Sequence, residues 1–379
     1  VSIYDELQVK PVVNAWGSVT IMGGSRMPEP VLQAMLEAAR SFVTLRQLQD
    51  RAGARIAELV GVDAAIISSG AAGGITLSAA ACIAGTDREA IGRLPDTTGL
   101  KCEFVVARSE RPNYMYQAAE MAGARLVEVG DDDAVTPEDF AAAIGPRTAA
   151  VMLIAATLDR QRLMSPRVTA TIENVAAITR RAGVPLIVDA AAELPRAANF
   201  RAFLDQGADL AIFSGGKALR GPQSSGIVVG RPDLIEAATP NNNPHSAVGR
   251  PMKVGKEEIA GLVRAVELYV SRDEDAELRE WHAVARRVAD GLTGLAGVRP
   301  EVVTSGLYSR PPIMPVCLVH LDSASIGVTR DQLHQRLLDG EPSVATGFFE
   351  GGLAINPMML ASGEEQIVIR ELRRALGGD

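Results

Sequence analysis

Apolar residues in this chain fall into short runs divided by polar stretches of helical spacing. The runs at 64–67, 103–107, 125–129, 150–154, 184–188, 209–213 and 226–230 are short, bounded by turn residues and rich in β-branched side chains, and read as buried strands. Between them, residues 31–59, 112–122 and 167–182 repeat their apolar positions with helical spacing. Thr136-Pro137-Glu138-Asp139 opens a further helix with a cap residue, a proline at the first position and acids in the first turn. Strands alternating with helices predict a mostly parallel sheet covered on both faces. Beyond it, 257–295 reads as a long amphipathic helix broken once. Strands near 298–304 and 316–321 follow, with helices at 329–339 and 363–376. The expected organisation is an N-terminal arm (1–30), a large α/β domain (31–256), a linking helix (257–295) and a small α+β domain (296–379).

Composition narrows the functional classes. Of 379 residues 47% are hydrophobic and 22% charged, values of a soluble globular protein, and the length suits a large domain plus a smaller one. A net charge of −8 argues against a nucleic-acid-binding surface. Cys82, Cys102 and Cys317 are odd in number and widely spaced, so neither a disulfide framework nor a metal site is expected. No basic segment followed by an apolar core opens the chain, and no apolar run nears the length of a membrane span. The expectation is a cytoplasmic protein acting on a small molecule, away from membranes.

The chemistry concentrates where strands end. The run 209–213 closes in Ser214-Gly215-Gly216-Lys217, and the run 184–188 closes in Asp189-Ala190-Ala191. Open α/β sheets bind ligands at the carboxyl ends of their strands. A lysine desolvated there has a lowered pKa and can form a Schiff base. Lys217 and Asp189 stand 28 residues apart, room for one helix and one strand, so the two belong on nearby strand ends. A lysine to hold an aldehyde and an acid to keep a pyridine nitrogen protonated are what pyridoxal 5'-phosphate requires. Ser69-Gly70-Ala71-Ala72, a strand-to-helix turn of small residues, offers free N–H groups to the phosphate, and Ser214 can reach the same group. There is no G-x-G-x-x-G, so a dinucleotide site is not expected. Lys253 and Lys256 are rival lysines, but they lie in loop sequence with no strand delivering them. Asn14-Ala15-Trp16-Gly17 and Gly23-Gly24-Ser25-Arg26 admit two readings: a packed arm, or a glycine-lined approach with Arg26 offered to an anion.

Most of the chain resembles the fold-type-I pyridoxal-phosphate enzymes, with an aspartate-aminotransferase-like, seven-stranded large domain. Within them it is similar to the group that includes D-glucosaminate-6-phosphate ammonia-lyase and relatives of bacterial selenocysteine synthase (L-seryl-tRNA selenium transferase). The likeness rests on Val13-Asn14-Ala15-Trp16-Gly17, Gly23-Gly24-Ser25-Arg26-Met27, Ser69-Gly70-Ala71-Ala72, Val188-Asp189-Ala190-Ala191-Ala192-Glu193-Leu194-Pro195, Phe213-Ser214-Gly215-Gly216-Lys217, Arg220-Gly221-Pro222-Gln223-Ser224-Ser225-Gly226 and Gly249-Arg250-Pro251-Met252-Lys253-Val254-Gly255-Lys256-Glu257-Glu258. It implies Lys217 as the cofactor lysine, Asp189 at the ring nitrogen, and Ser69, Gly70, Ala71 and Ser214 around the phosphate. It also implies a homodimer or higher even oligomer, with Gln223, Ser224 and the 245–256 loop serving the neighbouring subunit.

Selenocysteine synthase carries an additional tRNA-binding domain, so tRNA-linked chemistry is not expected here. Many fold-type-I enzymes hold a substrate carboxylate with a small-domain arginine, and the stretch 351–357 offers none. Arg26, Arg220 or Arg310 must then bind the substrate anion, and Tyr114 is a candidate to cover the ring. The expected reaction is elimination of water and ammonia from a β-hydroxy amino acid or amino-sugar acid to give a 2-oxo acid. Racemisation, aldol cleavage and transamination use the same residues, and a cofactor-free binding protein on this fold is the non-enzymatic alternative.

Overall fold

The computed structural model describes residues 2–108, 114–305 and 313–377. The chain divides into two compact units, one formed by Met27–Arg272 and the other by Val1–Arg26 with Asp273–Asp379.

The larger unit is built on a seven-stranded sheet. Its strands lie in the order Ala64–Ser68, Gly226–Gly230, Leu210–Ser214, Leu186–Asp189, Thr148–Ile154, Glu103–Ala107, Arg125–Val129. All neighbours are parallel except Gly226–Gly230, which runs antiparallel to both its partners. Thr148–Ile154 and Leu186–Asp189 are buried along their whole length, as strands covered on both faces must be. Capping fixes where the covering helices begin. Thr136 and Asp139 form a reciprocal capping box at one, and Thr171 and Asn174 at another.

The helix Gly70–Ala84 positions the site most directly. It is made mostly of small residues and is buried from Gly73 onward save for the half-buried Cys82. Gly74 explains the composition, since a Cβ there would lie 2.9 Å from Ile212 Cγ2 and 3.0 Å from Val228 Cγ2. Small residues let this helix lie directly on the sheet, with its N-terminus at the strand ends.

The second unit holds a five-stranded sheet ordered Val12–Ala15, Ser343–Phe349, Gly352–Ile355, Met314–Leu321, Val298–Ser305. Part of the expected arm is thus its edge strand, with Val12 paired to Ser343 and Ala15 to Thr346. Within the Asn14–Gly17 motif, Asn14 Oδ1 accepts from the Trp16 and Gly17 N–H groups at 2.9 and 3.2 Å. Trp16 stacks edge-on to Phe348, ring centroids 5.3 Å apart. The amphipathic stretch expected over 257–295 is two helices, Lys256–Ser271 and Glu274–Leu292, and the boundary between the units passes between them.

Candidate active site

Two hydroxyl residues meet in one row across the sheet edge. Ser68 and Ser214 both pair with Gly226, one from each side. Each is the last residue of its strand, so the Ser69–Ala71 turn and the Gly215–Lys217 turn leave the sheet side by side. The Ser68 hydroxyl donates to the Gly70 carbonyl at 2.8 Å, and Gly70 takes a φ of +79° that suits glycine. Ser69 itself makes no capping bond to the helix. The first N–H groups of a fifteen-residue helix are therefore open toward the strand ends, with the helix's positive end behind them.

The turn holding Lys217 is closed by backbone bonds from the Arg220 N–H to the Lys217 carbonyl and from the Gly221 N–H to the Gly215 carbonyl, both 2.9 Å. Its glycines are required for space. A Cβ on Gly215 would meet Ser225 Oγ at 2.1 Å, and one on Gly216 would meet Gln223 Cα at 2.5 Å.

Asp189 ends the adjacent strand, pairs with Ile212 and is 3% exposed. Its Oδ1 accepts from the Ala191 N–H at 2.9 Å. Burial pushes its carboxyl above the usual range, opposed by the charge of Lys217 and by that N–H. Burial likewise lowers the Lys217 amine below the usual lysine range, opposed by Asp189 and by a second carboxylate, Glu193. Asp189 and the Lys217 turn thus close adjacent strands, and the charge of each opposes the shift that burial imposes on the other. Glu193, four residues past Asp189, is a second buried acid in the turn that follows that strand.

The rival lysines are placed elsewhere. Lys256 starts a helix and donates through Nζ to the Ala38 carbonyl at 2.7 Å, while Lys253 is exposed. Arg26 belongs to the other unit, where it pairs with Glu364 at 3.1 Å. Arg220 lies in the Lys217 turn, half-buried, at a left-handed φ of +53° that a side chain rarely adopts. Gln223 is half-buried in the same connection and Ser224 is exposed. Arg310 and the side chain of Tyr114 lie outside the described residues. Burial pushes the thiols of Cys82 and Cys317 up to about 12, so neither is an activated nucleophile.

The 240–256 loop holds a feature that its polarity concealed. Asn241, Asn242 and Asn243 are all buried, and Asn242 Nδ2 donates to the Ile67 carbonyl at 2.8 Å, two residues before the Ser69 turn. A run of asparagines reads as solvated loop until the strand it bonds to is known.

The donor set suits pyridoxal phosphate: a desolvated amine, a buried carboxylate, and a glycine-lined turn at an open helix end. Residues 12–285 match the family described as SelA, L-seryl-tRNA selenium transferase. The chain belongs to that family. It is 33% identical to the 5'-C-glycyluridine monooxygenase-decarboxylase of a Streptomyces species, over 98% of this chain and 92% of the relative. It is 29% identical to the D-glucosaminate-6-phosphate ammonia lyase of Salmonella typhimurium, over 98% and 97% of the two chains. The solved structure of a D-glucosaminate-6-phosphate ammonia-lyase superposes with a TM-score of 0.83 at 28% identity, covering 100% of this chain and 98% of that one. This SelA-family chain is accordingly a fold-type-I enzyme whose cofactor is pyridoxal 5'-phosphate.

Proposed function

We propose that this enzyme is a lyase that eliminates water across Cα–Cβ of a β-hydroxy amino acid or amino-sugar acid, phosphorylated or not, the freed enamine then taking up a water and releasing ammonia and a 2-oxo acid. The observation that carries the reading is the placement of the buried Asp189 at the end of one strand and of the half-buried Lys217 in the turn after the adjacent strand Leu210–Ser214. The ammonia-lyase relative and the superposing structure support the reaction class. When bound, the cofactor supplies an electron sink for the carbanion formed at Cα. Lys217 Nζ holds the cofactor and then, with burial favouring its neutral form, takes the Cα proton. Asp189 holds the proton of the ring nitrogen. The N–H groups of Gly70 and Ala71, with the hydroxyls of Ser69 and Ser214, bind the phosphate at the helix end. Arg220, in the turn of Lys217, takes the substrate carboxylate or phosphate, for which a planar guanidinium is well shaped.

The working enzyme on this reading is a cytoplasmic homodimer. In the larger unit Leu32 and Leu36 lie one helical turn apart, 41% and 46% exposed, and the nearby Phe42 is wholly exposed, an apolar strip suited to a second copy. No helix among the described residues is long and apolar enough to cross a membrane.

A second reading, decarboxylation, is favoured by the 33% identity to the monooxygenase-decarboxylase. It uses the same lysine and aspartate and breaks a different Cα bond. The test is a panel of β-hydroxy amino acids and amino-sugar acids, free and phosphorylated, assayed for ammonia, 2-oxo acid and carbon dioxide. Ammonia with an equal yield of 2-oxo acid supports the lyase. Carbon dioxide without 2-oxo acid replaces it with the second reading.

A further inference from the structure

A small cleft in the larger unit lies along the outer edge of the seven-stranded sheet. The edge strand is Ala64–Ser68, whose inner neighbour is Gly226–Gly230. The helix Leu45–Val60 is drawn against it at Gly53, where a Cβ would lie 2.4 Å from the Ala65 carbonyl oxygen. The loop after Pro240 is pinned to it at Asn242, whose Nδ2 donates to the Ile67 carbonyl at 2.8 Å. Between helix and loop is a cleft of about 40 Å³, lined by Ala65 and Ile66 of the strand, Arg46, Gln49 and Asp50 of the helix, and Asn243 of the loop. Arg46 stands three residues before Gln49 and four before Asp50, so the three share one helix face. Gln49 is 8% exposed, and neither its Oε1 nor its Nε2 has a partner. Buried amides are nearly always hydrogen-bonded, because an unpaired one forfeits its bonds to water. Arg46 and Asp50 are exposed beside it and pair neither with each other nor with another described residue.

We propose that this cleft binds a small zwitterion, an α-amino acid no larger than serine, at a site separate from the Lys217 turn. The inventory of donors and acceptors decides the class. Arg46 offers donors and a positive charge, Asp50 offers acceptors and a negative charge, and the Gln49 amide offers one of each kind. A carboxylate by itself would leave Asp50 and Gln49 Oε1 unpaired, and an amine by itself would leave Arg46 and Gln49 Nε2 unpaired. An amino acid satisfies all of them. Its carboxylate takes Arg46 and Gln49 Nε2, and its ammonium takes Asp50 and Gln49 Oε1. No hydrogen bond holds the amide, so it is free to turn either end to the ligand. Size agrees: at roughly 10–15 Å³ per water the cleft has room for about three waters, the bulk of glycine or alanine. Binding involves no covalent step, and the inference stands apart from the assignment of Lys217.

The experiment is calorimetric titration of the full-length holoenzyme, first reduced with borohydride so that incoming amines cannot react with the cofactor. The probes are glycine, L-alanine, acetate and methylamine. Glycine and L-alanine bind with millimolar affinity, and acetate and methylamine, each with one charge, bind at least about tenfold more weakly. Q49M removes the amide and keeps the side chain's length, so glycine affinity falls about tenfold or more. The Tm of unliganded Q49M holds or rises, because the variant loses a buried group that had no partner. R46M and D50N change exposed side chains, each weaken glycine binding by a similar factor, and carry the test if Q49M does not fold. Binding of glycine at the reduced cofactor instead is indifferent to all three substitutions. Equal glycine affinity in the wild type and the variants therefore overturns the site, as does a wild type that glycine and L-alanine do not saturate. Acetate or methylamine binding as tightly as glycine overturns the zwitterion.

Discussion

Gly226 stands against Gly70 so closely that a Cβ on Gly226 would lie 2.5 Å from the Gly70 carbonyl carbon and 2.6 Å from its oxygen. The strand that pairs with both Ser68 and Ser214 is thus also the floor on which the proposed phosphate turn rests. The obstacle is backbone, which cannot rotate aside, so Gly226→Ala must displace the turn. Overpacking of this kind costs about 1–3 kcal/mol. Thermal unfolding and a fluorescence titration with pyridoxal phosphate check it: Tm falls by several degrees and cofactor affinity falls about tenfold. Unchanged affinity would move the phosphate site away from Gly70.

Lys217 and Lys256 separate by phenotype. Lys217→Ala removes the visible band and ammonia release while the melting temperature stays within a few degrees of the wild type. Lys256→Ala keeps the band and loses the bond to the Ala38 carbonyl, a cost of about 1 kcal/mol. Absorbance spectra and melting curves of the two variants distinguish them.

The lowered Lys217 amine sets a pH dependence in the cofactor-free protein. Between its depressed value in the fold and the ordinary lysine range, the unfolded chain binds the proton that the folded chain has lost. Stability therefore rises with pH through that window. Urea unfolding of the cofactor-free wild type and Lys217→Met at a series of pH values from neutral upward checks the sign. The wild type gains stability relative to the variant as pH rises. Parallel curves would show that the amine is not desolvated.

Arg220 carries backbone strain at φ +53° beside Lys217. Arg220→Gly relieves it, so stability holds or rises by up to about 1 kcal/mol. Without the guanidinium, KM for an anionic substrate rises about tenfold or more, as for the loss of a charge-assisted bond. Arg26→Ala breaks the exposed pair with Glu364, worth no more than about 1 kcal/mol. Steady-state kinetics and denaturation of both variants decide which arginine the substrate uses.

The strand ends were legible in the sequence because a buried strand announces itself locally. Asp189 or Lys217 at the end of an apolar run is singly no more than a cap or an ion-pair partner, and the two together pointed to a site; the strands of the seven-stranded sheet match such runs. Features set by distant partners were not legible. Val12–Ala15 is a strand only because Ser343–Phe349 lies beside it, and the latter pairs back with Gly352–Ile355. Asn242 is buried by a carbonyl 175 residues away. Glu193 reads as one acid among many until the fold shows it buried in the turn after Asp189. The crowding at Gly226 depends on Gly70, which no local pattern links to it.

The central claim is that Lys217 carries the cofactor, and the direct measurement is chemical. Borohydride reduction of the purified protein loaded with pyridoxal phosphate fixes the cofactor covalently, and peptide mass spectrometry then locates it. The pyridoxyl group is predicted on the peptide containing Lys217. A label on Lys253 or Lys256, or on no lysine, would contradict the assignment.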